Sequence, residues 1–125
     1  MKDLFIPYKQ ALAMKELGFD DEVLKVYDID SSESELFNYG EVLTGDDELY
    51  APLYQQAFKW FREKHKLHGN IYYFDNEEVA DAPYSISLEG ITIEQAEMLG
   101  EGENYTTYEE AELACLNKLI EIVKK

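Results

Sequence analysis

Cysteine and positive charge are what this 125-residue sequence has least of. Its single cysteine, Cys115, excludes an intramolecular disulfide and a cysteine-built zinc knuckle. Lys and Arg number 11 against 27 Asp and Glu, a formal net charge of −16. Phosphate binding needs a positive footprint, so a field of this sign excludes bulk affinity for nucleic acid. No apolar run approaches the roughly 20 residues of a spanning helix. The opening Met1-Lys2-Asp3-Leu4-Phe5-Ile6 gives way at once to Pro7 and polar Tyr8-Lys9-Gln10, unlike a secretory leader. The expectation is a cytoplasmic protein without membrane contact. Aromatics are plentiful, with ten Tyr and six Phe in a chain that is 46% hydrophobic, which argues against wholesale disorder. At this length one core suffices, and residues 1–125 are read as a single domain.

The charge is segregated. Residues 20–48 hold eleven acids against Lys25 alone, and residues 67–117 hold twelve acids with no Lys or Arg. Between them, Lys59, Arg62, Lys64 and Lys66 are opposed only by Glu63. That basic stripe either pairs with the acidic segments of the same molecule or docks an anionic partner; pairing is the simpler account.

Three helices have a mechanism behind them. Pro7 opens the first, which runs to Leu17, because its missing N–H would be unpaired in a first turn anyway; Gly18 supplies a left-handed cap and Phe19 folds back. Pro52 opens the second, whose Tyr54, Ala57, Phe58, Phe61 and His65 fall on one face, with Lys59, Arg62 and Lys66 opposite. The third starts at Thr107, with capping-box spacing to Glu110. Its apolar residues wrap more than one face, so it lies centrally in the core or is covered in part by another copy in a homo-oligomer. Ile91–Leu99 has the length of a short helix. Ile71-Tyr72-Tyr73-Phe74 and Tyr84-Ser85-Ile86-Ser87-Leu88 read as an antiparallel hairpin with Tyr84, Ile86 and Leu88 on one face, and Val23–Ile29 as a further strand. The fold class expected is α+β, three helices on a small antiparallel sheet. The helix starts Pro7-Tyr8-Lys9-Gln10-Ala11 and Pro52-Leu53-Tyr54-Gln55-Gln56-Ala57 echo each other, as shared start chemistry or an ancient duplication.

Candidate chemistry is thin. His65-x-x-His68 would present two imidazoles to a metal only if the helix continued past Lys66, and Gly69 opposes that. Asp28-x-Asp30-x-Ser32 begins like a calcium loop but has Glu33 where the turn needs Gly and Tyr39 where a bidentate Glu belongs. Cys115 sits on an apolar helix face, the setting of an inert thiol. No catalytic residue, cofactor or metal is therefore assigned. Of the tyrosines, Tyr8, Tyr54 and Tyr84 fit core faces; Tyr39, Tyr50, Tyr72 or Tyr73, Tyr105 and Tyr108 fall on loops or outer strand faces, where Tyr suits protein interfaces.

The patterns P-x-Y-x-Q-A-x-x-W-x-R-E-K from Pro52 and Y-E-E-A-x-x-A-x-x-x-x-L from Tyr108 resemble a family of small uncharacterised proteins from gut Bacteroidetes and their phages and prophages. The resemblance covers about half of the chain. It implies a helix–strand–strand–helix unit over residues 51–125, with residues 1–50 an N-terminal elaboration, and it carries no activity. The order is also similar to double-stranded RNA-binding folds, but those place Lys and Arg where this chain has Glu109, Glu110 and Glu112.

The function expected is a non-enzymatic, phage-type accessory or interaction module for an unidentified protein partner, with Lys59, Trp60, Arg62 and Lys66 as one contact surface and acidic residues 20–48 as another. The alternative is an acidic DNA mimic that occupies a host nucleic-acid-binding protein; a metal- or ligand-binding enzyme ranks third.

Overall fold

The computed structural model describes residues 4–28, 36–38, 48–99 and 103–124. The chain is α+β. Among the described residues there are four α-helices and two three-stranded antiparallel sheets, one helix and one sheet more than the patterning predicts. The residues divide into two compact units, Met1–Ala57 and Phe58–Lys125.

In the first unit, α1 (Tyr8–Glu16) precedes β1 (Lys25–Asp28), β2 (Leu36–Asn38) and β3 (Glu48–Ala51), which pair in the order β2-β1-β3. Pro7 is the residue before the helix, one place earlier than the sequence suggests, and its carbonyl accepts the Ala11 N–H at 2.9 Å. At the far end Gly18 takes φ +99°, and the Phe19 and Gly18 amides return to the Met14 and Lys15 carbonyls. This is the Schellman closure that glycine permits without a Cβ clash. Phe19 is accordingly buried. Tyr27 and Leu49 lie opposite each other on β1 and β3, both buried, and the Tyr27 hydroxyl donates to the Ile6 carbonyl at 2.8 Å. Burial raises the pKa of that hydroxyl.

The two echoing helix starts lie side by side. Phe5 and Leu53 form an antiparallel bridge, and the Ile6 N–H donates to the Pro52 carbonyl at 3.0 Å. Tyr8 and Tyr54 each begin a helix, and Ala11 and Ala57 are each buried in its first turn. Pro52 lies two residues before α2 (Tyr54–His65), and the Leu53 carbonyl rather than that of Pro52 accepts the Ala57 N–H, at 2.9 Å.

In the second unit β4 (His68–Tyr73), β5 (Tyr84–Glu89) and β6 (Asn104–Tyr105) pair in that order, with α3 (Ile93–Leu99) between β5 and β6 and α4 (Tyr108–Lys124) at the end. The predicted hairpin is present: Ile71 faces Ile86 and Tyr73 faces Tyr84. The strand starts earlier than expected, because Gly69 and Asn70 belong to it rather than to a helix end. A Cβ on Gly69 would lie 2.6 Å from Cys115 Sγ, 3.2 Å from Leu119 Cδ1 and 3.6 Å from Phe58 Cε1. Strand, α4 and α2 thus close on one another where there is no side chain to hold them apart. Strand alternation then places Gly69, Ile71, Tyr73, Leu88, Ile86, Tyr84 and Tyr105 on the face covered by α4, and Asn70, Tyr72, Ser85 and Ser87 on the opposite, polar face.

Helix α4 begins as predicted, with Thr107 Oγ1 accepting the Glu110 N–H at 3.1 Å. Its residues Ala111, Cys115, Leu116, Leu119, Ile120 and Ile122 are buried, which accounts for the width of its apolar pattern. Helix α3 has a complete capping box: Gln95 N–H to Thr92 Oγ1 at 3.1 Å and Thr92 N–H to Gln95 Oε1 at 2.8 Å.

Candidate interaction surface

The basic stripe is built differently from the sequence expectation. Lys59 and Arg62 are exposed on α2, but the helix stops at His65, and Lys66 is an exposed left-handed residue (φ 57°) beyond it. Trp60 corrects the expected surface outright. It is only 4% exposed, with its ring edge-on to Phe61 at 5.1 Å and to His65 at 4.9 Å. Trp60 cannot join Lys59, Arg62 and Lys66 in a contact, because an indole on this short amphipathic helix gains more from burial than from exposure. The other expected surface, residues 20–48, falls largely outside the described residues, as does the calcium-like stretch from Asp30 onward and Tyr39.

The helix end also separates the histidines. His65 closes α2 against the Trp60 and Phe61 rings, and His68 opens β4 with its side chain exposed. No cluster of three or more His, Cys, Asp or Glu suited to a metal occurs among the described residues. Cys115 is fully buried beneath Gly69, and its pKa is pushed up to about 12, first by burial and then by the Glu112 carboxylate. Such a thiol is not a nucleophile.

A different constellation emerges at the end of the second sheet. Tyr73, Tyr84 and Tyr105 are cross-strand neighbours on one face, one from each strand. Tyr84 meets Tyr73 edge-on at 5.3 Å and, on its other side, Tyr108 at 6.0 Å, where α4 begins. Four tyrosines therefore converge where β4, β5 and β6 meet the head of α4. Burial raises the hydroxyl pKa of Tyr105 and Tyr108, helped by Glu103 at the first and by Glu112 and Glu109 at the second, so both remain neutral. The outer members are open to solvent: Tyr73 is 62% exposed and Tyr108 45%.

The chain immediately beyond β4 extends this surface. The Phe74 N–H donates to the Pro83 carbonyl at 2.8 Å, which continues the β4–β5 ladder by one step and leaves the Phe74 ring 48% exposed. Asn76 then accepts the Glu78 N–H at 3.0 Å and starts a 3-10 turn, Glu77–Val79. Tyr73, Phe74, Asp75, Asn76, Glu77, Ala80 and Pro83 line a concavity of about 150 Å3. On the opposite sheet face Tyr72 is 45% exposed and accepts a hydrogen bond from Ser87 Oγ at 3.3 Å.

The sequence carried a signal for this. Ile71-Tyr72-Tyr73-Phe74 is aromatic without alternation, and a strand with period two cannot bury consecutive rings on one side. Both Tyr72 and Tyr73 are exposed, on opposite faces, where the pattern suggests only one of them.

No family model, no curated protein and no solved structure matches the chain. No described helix is long and apolar enough to cross a membrane.

Proposed function

We propose that this chain is a non-enzymatic, cytoplasmic interaction module of phage or prophage accessory type, and that it engages a protein partner through the aromatic end of its second sheet. The observation that carries this reading is the run of edge-on rings Tyr73, Tyr84 and Tyr108, with Tyr73 and Tyr108 exposed at its ends and exposed Phe74 next to Tyr73 in the chain. Single exposed apolar residues are ordinary on protein surfaces, whereas adjoining ones mark contact sites. Tyr and Phe offer large area at low conformational cost, and each ring buried by a partner contributes roughly 1.5–3 kcal/mol. The concavity, at about 150 Å3, is smaller than the roughly 300–1,000 Å3 of small-molecule sites, which favours a protein side chain over a substrate.

Affinity capture from the producing cell tests the proposal, using the full chain and a Tyr73→Ala/Phe74→Ala variant as baits. The wild-type bait is expected to retain a stoichiometric partner that the variant loses, with both baits equally stable to heat. Recovery of no stoichiometric partner by the wild-type chain would overturn it.

A further inference from the structure

Resting on the interaction reading above, we infer that the concavity at the end of β4 receives an arginine side chain from the partner, so that the partner presents a basic segment to this edge of the sheet. Aromatic Tyr73 and Phe74 line the concavity together with acidic Asp75 and Glu77, and exposed Glu78 and Asp81 lie on the same loop. The surroundings reinforce the sign, since no Lys or Arg occurs from residue 67 to 117 and Glu109 and Glu112 flank Tyr108.

This composition selects among occupants. An apolar segment would bury the Tyr73 and Phe74 rings but strip water from Asp75 and Glu77 without compensation. An acidic segment is repelled. A cation satisfies both components, its charge placed over a ring face and beside a carboxylate. Arginine fits better than lysine because its planar guanidinium stacks on a ring while its fork donates to carboxylate oxygens, and its aliphatic stem lies along apolar surface. The receptor is held in advance by the Phe74–Pro83 and Asn76–Glu78 hydrogen bonds, so little ordering is required on binding.

The test is titration of the full chain with a short fluorescein-labelled oligo-arginine peptide, with oligo-lysine and oligo-glutamine peptides of equal length beside it. Bulk attraction to a chain of charge −16 is controlled by a charge-neutral variant, Tyr73→Ser/Phe74→Ser, and by Glu94→Gln/Glu97→Gln on α3, outside the concavity. Oligo-arginine is expected to bind more tightly than oligo-lysine, and loss of the two rings to weaken it about tenfold, whereas the α3 variant stays near wild type. Equal binding by wild type and Tyr73→Ser/Phe74→Ser, or a larger loss with the α3 variant, overturns the inference as mere charge attraction. The two experiments separate the levels: a partner kept by the wild-type bait and lost by Tyr73→Ala/Phe74→Ala, together with oligo-arginine binding that loss of the rings does not weaken, overturns this inference and leaves the interaction reading standing, whereas no partner at all removes that reading.

Discussion

Gly69 shows how one absent side chain organises the second unit. With Cys115 Sγ 2.6 Å from where its Cβ would lie, Gly69→Ala forces α4 away from β4 and is expected to cost about 1–3 kcal/mol in thermal or urea unfolding. In Gly69→Ala/Cys115→Ala the methyl occupies the space the sulfur leaves, so the double variant is expected to be less destabilised than the sum of the singles by about 1 kcal/mol. Simple additivity would show that the two residues do not share the space. The same burial predicts a pH dependence. In the unfolded chain the thiol ionises near its ordinary 9.0, whereas in the fold it holds its proton to about 12. Between those values the folded state binds more protons than the unfolded one, so stability falls as pH rises, by up to about 1.4 kcal/mol for each pH unit. Tyr27, Tyr105 and Tyr108 add to the decline only above their ordinary 10.0. Unfolding midpoints at pH 9 to 10 are therefore expected to decline in the wild type and to flatten in Cys115→Ala, and a decline of equal slope in both would contradict this assignment.

At the scale of elements, helix boundaries were the most legible feature. Pro7, Gly18 and the Thr107–Glu110 spacing each specify a terminus through backbone chemistry that needs no tertiary context, and each is found within a residue of its expected place. The end of α2 was not legible, because the residue that turns the chain is Lys66, an unlikely occupant of the left-handed region. Its conformation is imposed from outside the helix: the Lys66 carbonyl lies 2.1 Å from where a Cβ on Gly90 (φ +89°) would sit, so the α2–β4 corner rests on the end of β5. Lys66→Gly is expected to raise stability by about 1 kcal/mol in denaturant unfolding, through relief of left-handed strain. Helix α3 makes the opposite case. It has no buried residue and depends on its capping box, so Thr92→Ala is expected to raise amide exchange throughout Ile93–Leu99 while leaving the global unfolding midpoint almost unchanged.

At the scale of the whole molecule, the α+β class and the β4–β5 hairpin with its inward Tyr84, Ile86 and Leu88 followed from periodicity, which strands and helices display whatever they pack against. The surface was harder to read, because a charge stripe shows in sequence but the depth of a ring does not. Trp60 lies on α2 beside Lys59 yet is buried, whereas Phe74, just past an aromatic strand, is open. The excess of acid has a place in the proposed reading: around the aromatic end of the second sheet it favours a basic partner. Amide chemical-shift mapping of the full chain during titration with oligo-arginine peptide examines that most directly. The largest saturable changes are expected at residues 73–84 and at Tyr108, with little at Lys59, Arg62 or α3. Changes spread evenly over all acidic segments, or none in residues 73–84, would contradict the assignment of this edge as the binding surface.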